Sequence, residues 1–357
     1  MAMQRTKICL ILSRDNRSWI LEKIAHRLAE HVKGFGIDAV VEDHPRNDVA
    51  LNHWMSYAFA NEKVGTPSTL FITHVDDPYK QSFLRNLLSN YVDIGICMSK
   101  HHADELVLRG IPRESLTFVL PAHDGEISPR RIVIGIMTRL YPDGRKREKF
   151  LIKLAEEVRL DAFRFDIFGA GWEKIVPQLE YAGAEVRYYP GTSDYLSDFK
   201  EITTNIVKFD YYAYFGMDEG SLGTLDALAA GVKTIITPQG FHADLEGAIT
   251  HPVITYQDVK EIFMRISEDW HSRVNSVASL TWDEYARRHA IIWKAVARGD
   301  RSSIGRLLNN EELTKNQGLA TDWQYELRRL SPLRIRSALS HLPILKPLRA
   351  IIKGKRL

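Results

Sequence analysis

The chain has 357 residues, enough for one large or two mid-sized domains with a substantial core. Its 45% hydrophobic and 26% charged content is that of a globular protein, not of a disordered or fibrous one. The net charge of +3 conceals an asymmetry. Nine Lys and Arg and no acid fall from Arg328 onward, leaving 39 basic against 45 acidic residues in the rest. An acidic body of this kind argues against a general nucleic-acid-binding surface and leaves the tail to be explained separately.

The two cysteines, Cys9 and Cys97, lie in apolar, strand-like runs, which fits a reducing, cytoplasmic setting without a disulfide framework. No His and Cys cluster has structural zinc spacing, and no metal is expected. The N-terminus leads directly into a strand and does not read as a signal peptide; no apolar run reaches the length of a membrane span.

In chain order, residues 7–13 form an apolar strand. Ile20, Ile24, Leu28 and Val32, four apart, predict a helix over 19–32 that Gly34 and Gly36 end. A second strand covers 37–42. The loop 13–18 then lies at the carboxyl end of the first strand and lacks a Gly-x-Gly-x-x-Gly pattern. A third strand, 69–73, is followed by His74, in a position that an ordinary surface histidine also occupies. A helix over 83–89, a strand over 93–99, a helix capped by Ser99 and closed at Gly110, and a strand over 116–121 complete this half. Two prolines and a glycine mark 121–131 as a linker.

The pattern restarts with a strand at 132–137. The loop after it carries Arg139, Arg145, Lys146 and Arg147, and a helix follows over 150–158. Four cations between a strand's carboxyl end and a helix suit a diphosphate; the plain alternative is a solvated basic loop. A strand at 163–168 ends in the turn Gly169-Ala170-Gly171. A short helix (172–179), a strand (186–189) and a helix (196–202) come next.

Residues 209–237 then read as strand, Gly-rich loop, helix, strand. The helix formers are 225–230 and Gly231 stops them. The amides of Ser221, Leu222, Gly223 and Thr224 are expected to be the first unpaired donors of that helix, a site for phosphate. Gly220 and Gly223 let a ligand approach the backbone. Asp218 and Asp226 would flank the phosphate and accept hydrogen bonds from sugar hydroxyls; in an ordinary crossover Asp218 would be only a helix cap. A loop at 239–245, a last strand at 253–256, a helix at 259–266 and a Thr281-capped helix running to about 297 close the globular part.

The stretch from Asp218 to Gly231 resembles the donor-site motif of retaining glycosyltransferases of family 4, which have the GT-B fold. That motif has two glutamates separated by seven residues and then a small-residue helix. Here Asp218 and Asp226 replace both glutamates at the same spacing, and Lys233 stands where proline is usual. The resemblance implies that Asp226 holds the nucleotide ribose and that Asp218 sits near the transferred sugar. It also implies an arginine and a lysine on the donor diphosphate. Arg139 matches the first; Lys146 matches the second, or Arg145 takes its role, because the loop differs in length. The turn with Gly169 and Gly171 resembles the small-residue turn of the donor domain. His74 resembles a histidine that touches the donor sugar, and the helix near Trp282 resembles the closing helix that returns to the N-terminal domain.

The resemblance covers roughly residues 7 to 298. It implies an α/β, GT-B architecture of two Rossmann-like domains facing a central cleft. The expected division is an N-terminal acceptor-side domain (1–128), a nucleotide-sugar donor domain (129–299) and a basic extension (300–357). It further implies transfer of a sugar from a nucleotide-sugar donor to a glycan or lipid-linked hydroxyl, with retention, in surface polysaccharide or glycoconjugate synthesis, with no cofactor. A nucleotide-sugar epimerase on the same fold would instead yield an isomerised nucleotide sugar without acceptor, and a non-catalytic partner protein would bind no nucleotide sugar. The tail 328–357 mixes Leu and Ile with Arg and Lys, broken by three prolines, a composition suited to lying at the anionic inner leaflet or on a partner.

Overall fold

The computed structural model describes residues 5–14, 19–192 and 194–304. The expectations for the tail, and for part of the loop after the first strand, lie outside these residues. The chain divides into two compact units: described residues up to Val119 together with those from Arg287 on, and residues 120–286.

The first unit holds β1 (Thr6–Ile11), α1 (Ile20–His31), β2 (Ile37–Glu42), β3 (Leu51–Trp54), β4 (Ser68–Ile72), α2 (Pro78–Asn90), β5 (Ile94–Cys97), α3 (Lys100–Leu108) and β6 (Leu116–Phe118). Its six strands are all parallel, in the order β2-β1-β3-β4-β5-β6. Parallel strands are covered on both faces, so they read as near-continuous apolar runs. Cys9, Ile11, Leu70, Ile72 and Cys97 share one core with Leu84, Leu87 and Leu106 from the helices. Burial pushes both thiols up to about 12, so neither is a reactive thiolate at neutral pH.

One strand of this unit does not follow from the pattern. β3 reads Leu-Asn-His-Trp, yet all four residues are buried. The Asn52 amide donates to Arg46 O and Thr66 Oγ1, its Oδ1 accepts from Arg46 N, and the His53 ring bonds Thr69 Oγ1 at 2.8 Å. Buried polar groups with partners are tolerated inside a sheet.

The second unit holds β7 (Ile132–Met137), α4 (Lys149–Glu157), β8 (Phe163–Phe168), α5 (Val176–Tyr181), β9 (Glu185–Tyr189), α6 (Tyr195–Ile206), β10 (Tyr211–Tyr214), α7 (Leu222–Ala229), β11 (Lys233–Ile236), α8 (Phe241–Asp244), β12 (His251–Pro252) and α9 (Tyr256–Asn275). Its six strands are also all parallel, ordered β12-β11-β10-β7-β8-β9. Side chains alternate across this sheet. Ile132, Ile134 and Ile136 enter one core with Phe163, Phe165 and Phe263, while Val133 enters the other with Tyr212, Tyr214 and Phe209. Each large side chain so buried contributes about 1.5–3 kcal/mol.

Two elements differ from the periodicity. The strand expected at 253–256 is replaced by β12, two residues earlier, because Thr255 caps α9 in a reciprocal capping box with Asp258. The loop expected at 239–245 contains α8. α10 (Trp282–Ala297) starts with Thr281 Oγ1 accepting from Glu284 N at 3.2 Å. Its residues up to Ala286 belong to the second unit and those from Arg287 to the first.

The architecture is therefore α/β, two Rossmann-like units each built on a six-stranded parallel sheet, the pair of units that the GT-B resemblance implies. Among the described residues no helix is long and apolar enough to cross a membrane.

Candidate functional site

The strand order of the second sheet fixes where a ligand fits. From β7 the chain winds outward through β8 to β9, then returns to the other side of β7 with β10, β11 and β12. The connections after β7 and β10 leave in opposite directions, so a crevice opens at the carboxyl ends of those two strands. A cavity of about 670 Å³ lies there, lined among others by Thr138, Arg139, Gly169, Tyr189, Gly223 and Asp226.

Backbone close approach shapes the floor of the cavity. Gly169 has φ +117°, and a Cβ there would stand 2.6 Å from Thr138 O and 3.0 Å from Arg139 N. Only glycine accepts that conformation and that contact. The Gly169-Ala170-Gly171 turn is thereby laid against the Thr138–Arg139–Leu140 backbone, with Leu140 N donating to Ala170 O and Trp172 Nε1 to Thr138 O. Gly171, at φ +98°, meets Leu140 Cβ. The turn positions the segment that carries Arg139. The Arg139 side chain is exposed and has no hydrogen-bond or ion-pair partner among the described residues.

The four cations of the loop after β7 have four different settings. Arg147, in the left-handed region at φ +51°, sends its guanidinium to Phe215 O (2.5 Å), Ile254 O (2.7 Å) and Thr237 Oγ1 (2.5 Å) and lies over the Phe150 ring. Three protein acceptors hold it, so it is a brace between the ends of β10, β11 and β12 and not a phosphate ligand. Arg145 lies over the Tyr141 ring at 4.4 Å and faces Asp143. Lys146 Nζ donates to Asp218 Oδ2 (2.7 Å) and Tyr214 Oη (2.6 Å). Arg139 alone of the four lines the cavity.

Asp218 is the centre of a second cluster beside the loop after β10. Its Oδ1 accepts from the Tyr214 hydroxyl at 2.5 Å and from Gly220 N at 3.3 Å, while Oδ2 accepts from Lys146. Partial burial pushes its carboxyl up, but Lys146 and the Tyr214 hydroxyl outweigh that and hold it below the usual aspartate value. Burial, and then the same carboxylate, pushes the Tyr214 phenol well above its ordinary range. Lys146 and Asp218 are bonded to each other outside the lining of the 670 Å³ cavity, whereas Asp226 is exposed on α7 and lines it.

The amides at the start of α7 differ from the expectation. The helix begins at Leu222, and Ser221, extended at φ −108°, precedes it. Ser221 N donates to His242 Nε2 (3.0 Å) and Thr224 N to Ser221 O (2.9 Å), so neither is a free donor. The amides of Leu222 and Gly223 have no partner among the described residues. His242, buried on α8, was not picked out by its sequence setting. Its Nε2 also meets Thr224 Oγ1 at 2.9 Å and its Nδ1 faces Thr237 O at 3.1 Å, an arrangement that needs the neutral, Nδ1-protonated ring. Ser221 Oγ in turn bonds Tyr212 Oη at 2.8 Å. Gly220, at φ +111°, has Phe241 and His242 against the place of its absent Cβ.

His74 lies in the first unit, exposed, two residues beyond β4, with its carbonyl accepting from the Tyr57 hydroxyl at 2.7 Å. The remaining candidates all belong to the second unit.

No protein-family model and no curated protein matches the chain. Among solved structures, the Anabaena protein HepE, in complex with UDP and glucose, is 14% identical over 87% of this chain and 100% of its own, with a TM-score of 0.28. WaaB, a lipopolysaccharide outer core galactosyltransferase, is 13% identical over 81% of this chain and 100% of its own, at 0.32. The catalytic domain of the Helicobacter pylori cholesterol-α-glucosyltransferase is 16% identical over 46% of this chain and 98% of its own, at 0.30. Likeness at this level carries no weight for function, which rests on the residues of the site.

Chemically, the cavity at the strand-order reversal is lined by one unpaired guanidinium, Arg139, by Gly223 with its unbonded amide next to that of Leu222, and by three carboxylates, of which Asp198 accepts from Thr192 N and Glu201 from the Asn205 amide while Asp226 is unbonded among the described residues. That set suits a ligand with a diphosphate and a diol, the amides and Arg139 facing the first and Asp226 the second. Among the described residues no group of His, Cys, Asp and Glu is arranged to hold a metal ion.

Proposed function

We propose that the second unit binds a nucleotide sugar and that the protein transfers its sugar to a hydroxyl of a glycan or lipid-linked acceptor. The observation that carries this reading is the switch-point cavity, which Arg139, Gly223 and Asp226 line together, with the unbonded amides of Leu222 and Gly223 opening α7. In the reaction the anomeric C–O bond breaks and the nucleoside diphosphate leaves with the electron pair. The acceptor oxygen bonds the anomeric carbon and its proton passes to the leaving phosphate oxygen. Negative charge grows on the leaving phosphate oxygen, so fixed donors there lower the barrier.

Arg139 and the two amides supply that counter-charge. Lys146 lies outside the cavity lining, and a contact from it to the diphosphate is what the motif resemblance adds; its bonds to Asp218 and Tyr214 leave one donor for that. An ammonium has three donors, and Tyr214 and Asp218 take two of them. The Lys146 pairing also holds Asp218 ionised, ready to accept from a sugar hydroxyl. Retention of configuration, membership of family 4, a role for His74 on the sugar and a part in surface-glycan synthesis are what the motif resemblance adds. A cytoplasmic location belongs to the same reading, with segment 328–357 as the part of the sequence that would hold the enzyme at an anionic leaflet.

The test is a thermal-shift panel of nucleotide sugars with the full chain, followed by assay of nucleoside diphosphate release. A ligand at about a hundred times its Kd stabilises the native state by about 2.7 kcal/mol, a rise of about 5–10 °C for a unit of this size. A panel in which no nucleotide sugar or nucleoside diphosphate raises the midpoint contradicts the proposal.

A further inference from the structure

We propose that the open groove at the amino-terminal edge of the second sheet is a separate binding site for a phosphate or phosphomonoester, held by Lys233, His251 and Arg265. The groove, of about 1160 Å³, lies at the opposite ends of the strands from the switch-point cavity. Lys233 opens β11 and pairs in register with Tyr211, the first residue of β10; His251 opens β12. Both converge on one ring: Lys233 Nζ stands 5.8 Å from the Tyr211 centroid and the His251 ring 5.7 Å from it. Arg265, from α9, places Nη2 3.3 Å from His251 Nδ1.

Charge in this groove is unevenly matched. The other ionised groups lining it are already paired, Arg130 with Asp210 at 2.6 Å and Arg273 with Asp269. No carboxylate pairs with Lys233 or Arg265 among the described residues. Two cations and a histidine thus share a partly enclosed space without counter-charge, which disfavours a further positive charge and favours an anion. His251 responds to this. Burial, then Arg265, then Lys233 push its pKa below the ordinary value. A bound oxyanion would supply the missing charge, let His251 take a proton and free Arg265 to donate to the ligand.

Lys233 stands where the resembling motif carries proline, and the donor-site reading gives it no part. Trp270, whose indole NH donates to Arg130 O, and Val232 give the groove apolar wall beside the cations, which fits an ester better than the bare ion.

The experiment follows the His251 ring resonances of the full-length protein by NMR, assigned with His251→Gln, as inorganic phosphate is added. Saturable shifts and a rise in the His251 pKa are expected. Lys233→Ala and Arg265→Ala should each weaken the phosphate affinity reported by His251 by about tenfold, the loss of one charge-assisted contact. Arg139→Ala, at the other end of the strands, should leave that affinity unchanged. A second arm replaces phosphate with vesicles containing phosphatidic acid. A response to soluble phosphate assigns the site to a free phosphate compound, and a response to vesicles alone assigns it to a lipid headgroup. A His251 ring that answers neither probe, or an affinity unaltered by both Lys233→Ala and Arg265→Ala, overturns the proposal.

Discussion

Arg139 and Arg147 lie eight residues apart in one loop, and their replacements are expected to do opposite things. In Arg147→Ala, Phe215 O, Ile254 O and Thr237 Oγ1 lose their donor together, and the Phe150 ring loses the guanidinium above it. A hydrogen bond to a charged group is worth about 1.5–3 kcal/mol. The three share one partly exposed side chain, and water can replace some of what is lost, so the total is about 2–4 kcal/mol rather than their sum. For a unit of this size that lowers the midpoint by about 4–16 °C. Arg139→Ala removes an exposed side chain with no partner, so stability should change by less than about 0.5 kcal/mol, while nucleotide affinity falls by about tenfold or more through loss of a phosphate contact. Calorimetric unfolding reads the first quantity and isothermal titration with a nucleoside diphosphate the second. Equal destabilisation by both replacements, or an Arg139→Ala protein with unaltered nucleotide affinity, would refute the division of labour.

Three further outcomes follow from the same geometry. Asp218 has a depressed folded pKa, so its pairing stabilises above the ordinary aspartate value of 3.8 and that contribution is lost as pH falls through the folded value; the stability gap between wild type and Asp218→Asn should be constant near neutrality and close in acid. Gly169→Ala forces a Cβ onto Thr138 O and an L-residue to φ +117°, a cost of about 2–4 kcal/mol, and should weaken nucleotide binding by moving Arg139; wild-type affinity in this variant would show that the turn does not position the arginine. Transfer activity should persist in a chelator, since cations and amides supply the counter-charge; activity lost in chelator and restored by magnesium or manganese would place the enzyme in a metal-dependent class.

The sheets were legible where strands are continuous and apolar. β7 coincides with its run because burial on both faces leaves no room for polar residues; β8 does so although Arg164 and Asp166 interrupt the apolar run, since the two pair with each other, and the edge strand β2 does so through its Ala-Val-Val stretch and the glycine before it. β3 was not legible, since Asn52 and His53 resemble a loop until their internal partners are known. The capping box that moves the start of α9 was present as Thr255 and Asp258, a signal obscured by the β-branched residues before it. At the site, spacing located Asp218 and Asp226 but not their surroundings. That Lys146 would pair with Asp218, and that Arg147 would serve the backbone, depends on how the loop after β7 crosses the ends of three strands. His242 had no sequence signal beyond lying after a strand, and its role follows from α8 turning it back under Ser221. Tyr212 and Tyr214, two apart and so on one face of β10, carried a usable signal: both hydroxyls reach the loop that follows.

The central claim is that the cavity between the ends of β7 and β10 holds the nucleotide diphosphate. Isothermal titration of the full-length protein and its Arg139→Ala/Asp226→Ala variant with the same nucleoside diphosphate tests it most directly. The account predicts one saturable site in the wild type and affinity reduced by about a hundredfold in the variant, two polar contacts at roughly tenfold each. Equal affinity in the two proteins, with the variant folded, would contradict it.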